Sequence, residues 1–315
     1  MTLLATFFHT LETTLPVFAM VFIGLGLRRL GWIDSAFIST ASALVFRATL
    51  PTLVFLSIVR ADLNATFNPA LLGFFVAATL ASFLTSWLWA VRTVPVADRG
   101  VFVQGAFRGN CGIVGLALAA SLYGDYGLSA GGLLLGVVII SYNILSVIVL
   151  TTYQPGQNAS WGRILGDIIR NPLILAVIAA LPFAWSGLRL PAWLMTSGDY
   201  FASLTLPLAL MCIGGTLSLS AMRSDRRLAV SASVLKMITL PLFCTLAAWL
   251  AGFEGRELGL MFLFFASPTA AASYVMVKAM NGNDRLAANI VALTTLMASM
   301  TITLGVFLLR STGLI

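Results

Sequence analysis

The chain has 315 residues, 59% of them hydrophobic and 9% charged, with a mean hydropathy of +0.99 and a formal net charge of +7. So apolar a composition, with no long polar block, leaves no soluble domain over and places the chain in a membrane. The basic residues form neither run nor patch, which excludes a nucleic-acid surface. Cys111, Cys212 and Cys244 fall inside spans with no paired spacing, which argues against a disulfide framework or a cysteine metal cluster and reads them as packing residues.

A bilayer core about 30 Å thick takes roughly 20 apolar residues per helix, and the chain divides into about ten such stretches. They run near residues 11–30, 36–58, 70–91, 100–122, 128–150, 171–187, 199–219, 228–250, 258–280 and 286–309. The first has no basic segment before it and only His9 and Glu12 break its polarity, so it reads as a helix that stays, not a cleaved signal.

Span two carries Arg47 and then Leu50-Pro51. Pro51 lacks the N–H that would bond the Arg47 carbonyl, and in span seven Pro207 frees the Ser203 carbonyl in the same way. Two outcomes stand for these scaffold kinks: ligation of a sodium ion, or satisfaction by side chains and water. Span four is broken by Arg108-Gly109-Asn110-Cys111-Gly112, and span nine by Ser267-Pro268-Thr269. Span five holds the polar pair Tyr142 and Asn143, which serves either a helix–helix hydrogen bond or the cargo, and Gly132 with Gly136, which packs helices.

Charge sets the orientation. Loops after the odd-numbered spans carry Arg28, Arg29, Arg92, Arg99, Arg108, Arg163, Arg170, Arg223, Arg226, Arg227, Lys278 and Arg285, twelve cations. The other side carries four, Arg60, Arg189, Arg256 and Arg310. By the positive-inside bias the richer loops are cytoplasmic and both termini lie outside. The remaining cations, Arg47 and Lys236, fall inside spans and should face the protein interior, since a cation facing lipid costs roughly 2.5–3.5 kcal/mol. No Asp or Glu falls at comparable depth, so a proton/cation antiporter is disfavoured and a negatively charged cargo is implied. For Lys236 snorkelling to the headgroups stands beside cargo contact, and for Arg47 pairing with freed carbonyls does.

The halves repeat. Pro16 to Pro51 and Pro172 to Pro207 are both 35 residues apart, and Asn110 to Gly124 and Pro268 to Gly282 are both 14. With five spans in each half the second repeat enters from the opposite face, an inverted repeat. Residues 1–152 form the first repeat, 153–170 a cytoplasmic connecting loop, and 171–315 the second. At about 1.5 Å per residue, Asn110 lies ~15 Å into span four and Pro268 ~16 Å into span nine, so both breaks reach the midplane. Glycines 109, 112 and 115 permit unwinding, and Pro268 suits the first position of a restarted helix. Two half-helix N-termini facing one spot favour an anion.

The stretch Arg108 to Leu116, the Asn171-Pro172 start of span six, and the block from Ser267-Pro268-Thr269-Ala270-Ala271 to Asn281-Gly282-Asn283-Asp284 resemble the auxin efflux carrier family of permeases, which includes bacterial malonate and other organic-acid carriers. The resemblance covers nearly the whole chain. It implies an all-α integral membrane fold of ten helices, two inverted five-helix repeats with helices four and nine broken and crossing, as in sodium/proton antiporters and bile-acid transporters. It also implies a bacterial inner-membrane location and a homodimer. By that resemblance Asn110 and Asn143 would sit at the substrate carboxylate, with Pro268 at the crossover; from the residues themselves, Cys111, Thr269 and Arg47 join the candidate substrate contacts, Gly109, Gly112 and Ser267 complete the crossover, and Pro51 and Pro207 kink the scaffold of spans one, two, six and seven. Long-loop regulation is not implied, because Thr151 to Gly162 is short.

The reading is a secondary carrier for a small organic anion, of malonate or auxin type, working by elevator-type alternating access with no resident cofactor or metal. A sodium-coupled organic-anion symporter is the alternative, and a non-transporting membrane receptor a more distant one. An intramembrane hydrolase is disfavoured, because the single histidine, His9, lies near the N-terminus and no paired membrane aspartates exist.

Overall fold

Short polar caps open the helices. Asp34, Asn68, Asn171 and Asn283 each accept backbone N–H groups of the turn that follows, and Asn68 and Asn171 stand directly before a proline in the first helical position. The computed structural model describes residues 3–61, 67–153, 166, 169–188, 190–217 and 226–315. Most of the connecting loop at 153–170 lies outside the described residues, as do Arg163, Arg189 and Arg223.

The elements in chain order are α1 (Leu3–Arg29), α2 (Ser35–Leu44), α3 (Leu50–Arg60), α4 (Pro69–Thr93), α5 (Arg99–Phe107), α6 (Leu116–Tyr153), α7 (Pro172–Ser186), α8 (Ala192–Ser203), α9 (Thr205–Thr216), α10 (Arg226–Val234), α11 (Leu240–Leu250), α12 (Gly255–Phe265), α13 (Ala271–Ala279) and α14 (Asp284–Ser311). Three π-turns bridge them: Val45–Thr49 joins α2 to α3, Cys111–Gly115 opens α6, and Leu235–Thr239 joins α10 to α11. Among the described residues six stretches are long and apolar enough to cross a membrane: Leu3–Arg29, Ser35–Arg60, Pro69–Thr93, Cys111–Tyr153, Arg226–Leu250 and Asp284–Ser311. Large apolar side chains such as Leu84, Leu88, Phe243, Leu246 and Leu250 are exposed around the outside. That surface suits a hydrocarbon solvent, and the chain is a multi-pass membrane protein.

α6 is not one rod. Gly124 takes φ 55° and ψ −132°, which a residue with a β-carbon rarely adopts, and a β-carbon at Gly127 would overlap the Ala119 carbonyl. The chain therefore reverses at Gly124, and the two arms pack closely just beyond it. At Asn281-Gly282, whose glycine the sequence aligned with Gly124, the positive-φ residue is Asn281 at φ 54°, not Gly282.

Two packing groups position the interior. α1 lies along α9 and α3 against α7 and α8. The α1–α9 crossing is close because Gly24 sits on the Met211 backbone and Gly214 on that of Val21. The other group packs α5 against α4, α6 and α10, and α12 against α6 and α11. Gly132 rests on Val54, and Gly136 lies near Val177, so this pair packs helices. The three cysteines are free and buried.

Candidate functional site at a helix crossover

Both breaks named from the sequence interrupt their helices, and they lie against each other. α5 stops at Phe107 and α12 at Phe265, and between them Gly109 and Thr269 pair as an isolated antiparallel bridge. The Asn110 N–H donates to the Pro268 carbonyl at 2.6 Å and the Ala270 N–H to the Arg108 carbonyl at 3.0 Å. Away from water an unwound backbone needs partners, and here each break supplies them to the other. Close approach is what the glycines provide. A β-carbon at Gly115 would lie 2.8 Å from Ser267 Oγ and one at Gly109 3.1 Å from Lys236 Nζ, while at Gly112 it would make only ordinary contacts.

Pro268 does not open the restarted helix. α13 begins at Ala271, and Pro268 lies in the extended bridge, offering a carbonyl and needing no donor of its own. No side chain caps α13 or the π-turn that opens α6, so their first N–H groups are left to the site.

Among the described residues the buried charged side chains are Arg108 and Lys236, and no Asp or Glu is buried. Arg108, 8% exposed, donates through Nη2 to Asn143 Oδ1 at 2.9 Å, and through Nη1 to Ser146 Oγ and Met276 Sδ, both at 2.9 Å. This corrects its placement among the loop cations: eleven, not twelve, remain on the richer side, still against four. A signal for it existed. Arg108 stands two residues before Asn110, so the depth that sent Asn110 into the membrane sends Arg108 there too.

Lys236 is 1% exposed and donates to the Phe265 carbonyl at 2.9 Å, so it does not snorkel. Arg47 is exposed on its π-turn, which packs with α7, α8 and α9; the expectation that its side chain is enclosed by protein is corrected, and it is not brought to the crossover. The π-turn it occupies precedes Pro51, while Pro207 follows the interruption at Leu204 between α8 and α9.

The other named residues divide by what their side chains already hold. Thr269, 1% exposed, donates its hydroxyl to the Gly105 carbonyl at 2.7 Å and its N–H to Thr294 Oγ1 at 3.0 Å. Ser267 donates to Leu263 at 2.8 Å. Cys111 donates to the Phe264 carbonyl at 3.3 Å and lies 3.8 Å from the Tyr142 hydroxyl. Asn110, 8% exposed, keeps its side-chain amide without a partner among the described residues, and Asn143 keeps its amide N–H groups. The sequence reading missed Ser146, Thr294 and Met276.

A cavity of about 440 Å³ opens between α3 and α8 on one side and α6 and α12 on the other. Its rim holds Arg60, which donates to both oxygens of Asp199 at 2.8 and 2.6 Å, and Arg256, whose guanidinium lies 4.7 Å from the centre of the Tyr126 ring.

The model of a family described as membrane transport protein matches residues 9–163 and 163–306. The chain belongs to that family, the auxin efflux carriers. An uncharacterised transporter of Methanothermobacter thermautotrophicus is 25% identical over 281 residues, 86% of this chain and 88% of its own. An uncharacterised transporter of Methanocaldococcus jannaschii is 23% identical over 214 residues, 65% of this chain and 67% of its own. The chain is a membrane transporter, and the family is not one of enzymes.

Proposed function

We propose that the protein is a secondary carrier that moves a small organic anion through the crossover by elevator-type alternating access. One observation carries this reading: Arg108 and Lys236 lie buried at the meeting of the two breaks with no buried carboxylate among the described residues to balance them. A buried cation without a counter-ion is costly, and a carboxylate cargo supplies the missing charge. The Asn110 amide and the uncapped N–H groups of α13 and of the π-turn at Cys111 add donors from opposite directions. Binding needs no chemistry on the cargo.

In this proposal the ten spans form two inverted five-helix repeats. The broken helices and their neighbours carry the anion past a scaffold of α1, α2, α3, α7, α8 and α9, and the cavity rimmed by Arg60 and Arg256 is the outer approach. Both termini lie outside the cytoplasmic membrane, and the carrier works as a homodimer.

The test is uptake by liposomes holding the purified chain, across a panel of mono- and dicarboxylates. Uptake of at least one acid is expected, and Asn110→Ala abolishes it while the protein stays folded and inserted. Undiminished uptake by that variant removes Asn110 from the site, and no uptake of any acid by the wild type refutes the carrier.

A further inference from the structure

The C-terminal end of α12 is where two carbonyls lose their helical donors. In a continuous helix the Phe264 carbonyl would take the N–H of residue 268, which is proline, and the Phe265 carbonyl would take that of Thr269, which goes to Thr294 instead. Cys111 Sγ reaches the first at 3.3 Å, beside the Ser267 N–H at 3.4 Å, and Lys236 Nζ reaches the second at 2.9 Å. Carbonyls at the C-terminal end of a broken helix, with its partial negative charge, are a donor set that holds a monovalent cation in carriers. Here a cation is already present, attached to the chain.

We propose that the Lys236 ammonium is a tethered counter-ion: it takes the place of a mobile sodium at the end of α12, so the anion moves without sodium. The inference rests on the carrier reading and chooses within it, against sodium symport. The groups around the ammonium agree. Cys111 of the first break, Tyr142 beyond it, Cys244 on its own helix and the bare backbone of Gly109 offer no carboxylate to hold a second cation beside it.

The experiment compares the purified wild type with Lys236→Ala, which opens that place. Melting of the wild type is the same in sodium chloride and in choline chloride. Lys236→Ala melts several degrees higher when sodium or ethylammonium is added, and choline, too large for the gap, has no effect. In liposomes, with malonate as probe, wild-type uptake is equal in the two salts; Lys236→Ala falls to background in choline chloride and regains uptake with sodium or ethylammonium. A wild type that gains stability or uptake from sodium overturns the proposal, and so does a variant indifferent to both sodium and ethylammonium. Wild-type liposomes that take up no acid of the panel refute the carrier reading instead, while the melting comparison still decides what fills the place. Should Lys236→Ala not fold, Lys236→Met fills the gap without charge: uptake at background in both salts supports the tethered cation, and wild-type uptake overturns it.

Discussion

Two helices carry the same irregularity with opposite results. Val45–Thr49 and Leu235–Thr239 are both π-turns, both run directly into Leu-Pro at Leu50-Pro51 and Leu240-Pro241, and both hold a cation, Arg47 or Lys236. In each the leucine N–H reaches the carbonyl five residues back, Val45 or Leu235, which widens the turn ahead of a proline that has no N–H and whose ring crowds the preceding turn. Yet Arg47 is exposed beside α7, α8 and α9, whereas Lys236 is enclosed and bonded to α12. A local proline is enough to make the bulge. What surrounds the bulge decides whether its cation is an outer charge or part of a site.

The comparison breaks most sharply at Lys236→Met. Uptake is expected to fall to background while the variant still folds and inserts; losing the bond to the Phe265 carbonyl costs about 1–3 kcal/mol, read as a modestly lower melting temperature. A variant that no longer folds or inserts would instead make Lys236 a structural residue. Next comes Thr294→Val, which leaves the buried Thr269 N–H without its acceptor beside the Lys236 end of α12. It should cost about 1–3 kcal/mol, read as a lower melting temperature. Smaller again is Pro241→Ala, which restores a helical N–H for the Met237 carbonyl and lets the turn relax, a change of about 1 kcal/mol. Uptake should fall partway, because the relaxed turn swings Lys236 off the Phe265 carbonyl, while Pro51→Ala regularises its own turn and leaves uptake unchanged. Equal effects of the two proline variants would show that the bulges matter for helix shape alone. Smallest is Arg47→Gln, expected to stay within about 0.5 kcal/mol in stability and to leave malonate uptake at the wild-type level. A large loss would return Arg47 to the cargo path.

Much of the fold was legible because its causes are local. Asparagine and aspartate caps, apolar runs and the Gly109 and Pro268 interruptions act over a few residues, and α5 and α12 stop where those residues require. The site was less legible, because its members come together from remote positions. The charge count placed Arg108 among loop cations although its depth in span four was readable, and nothing nearby in sequence reveals that Asn143, Ser146 and Met276 enclose it. Thr269 read as a polar group offered to cargo, but Gly105 and Thr294 already occupy its hydroxyl and N–H. The three glycines of the first break read alike, and only the opposing chain distinguishes Gly109 and Gly115, which are crowded, from Gly112, which is not.

By itself the sequence determined that this is a membrane chain with irregular backbone at Arg108–Gly112 and Ser267–Thr269, because apolar length, proline and glycine act on their own neighbourhood. Only the tertiary structure decided that the two irregular segments satisfy each other through Asn110, Pro268, Arg108 and Ala270, and that Arg108 and Lys236, not Arg47, are enclosed beside them. The physical reason is that burial and hydrogen-bond pairing belong to the space between helices, and residues far apart in the chain fill that space.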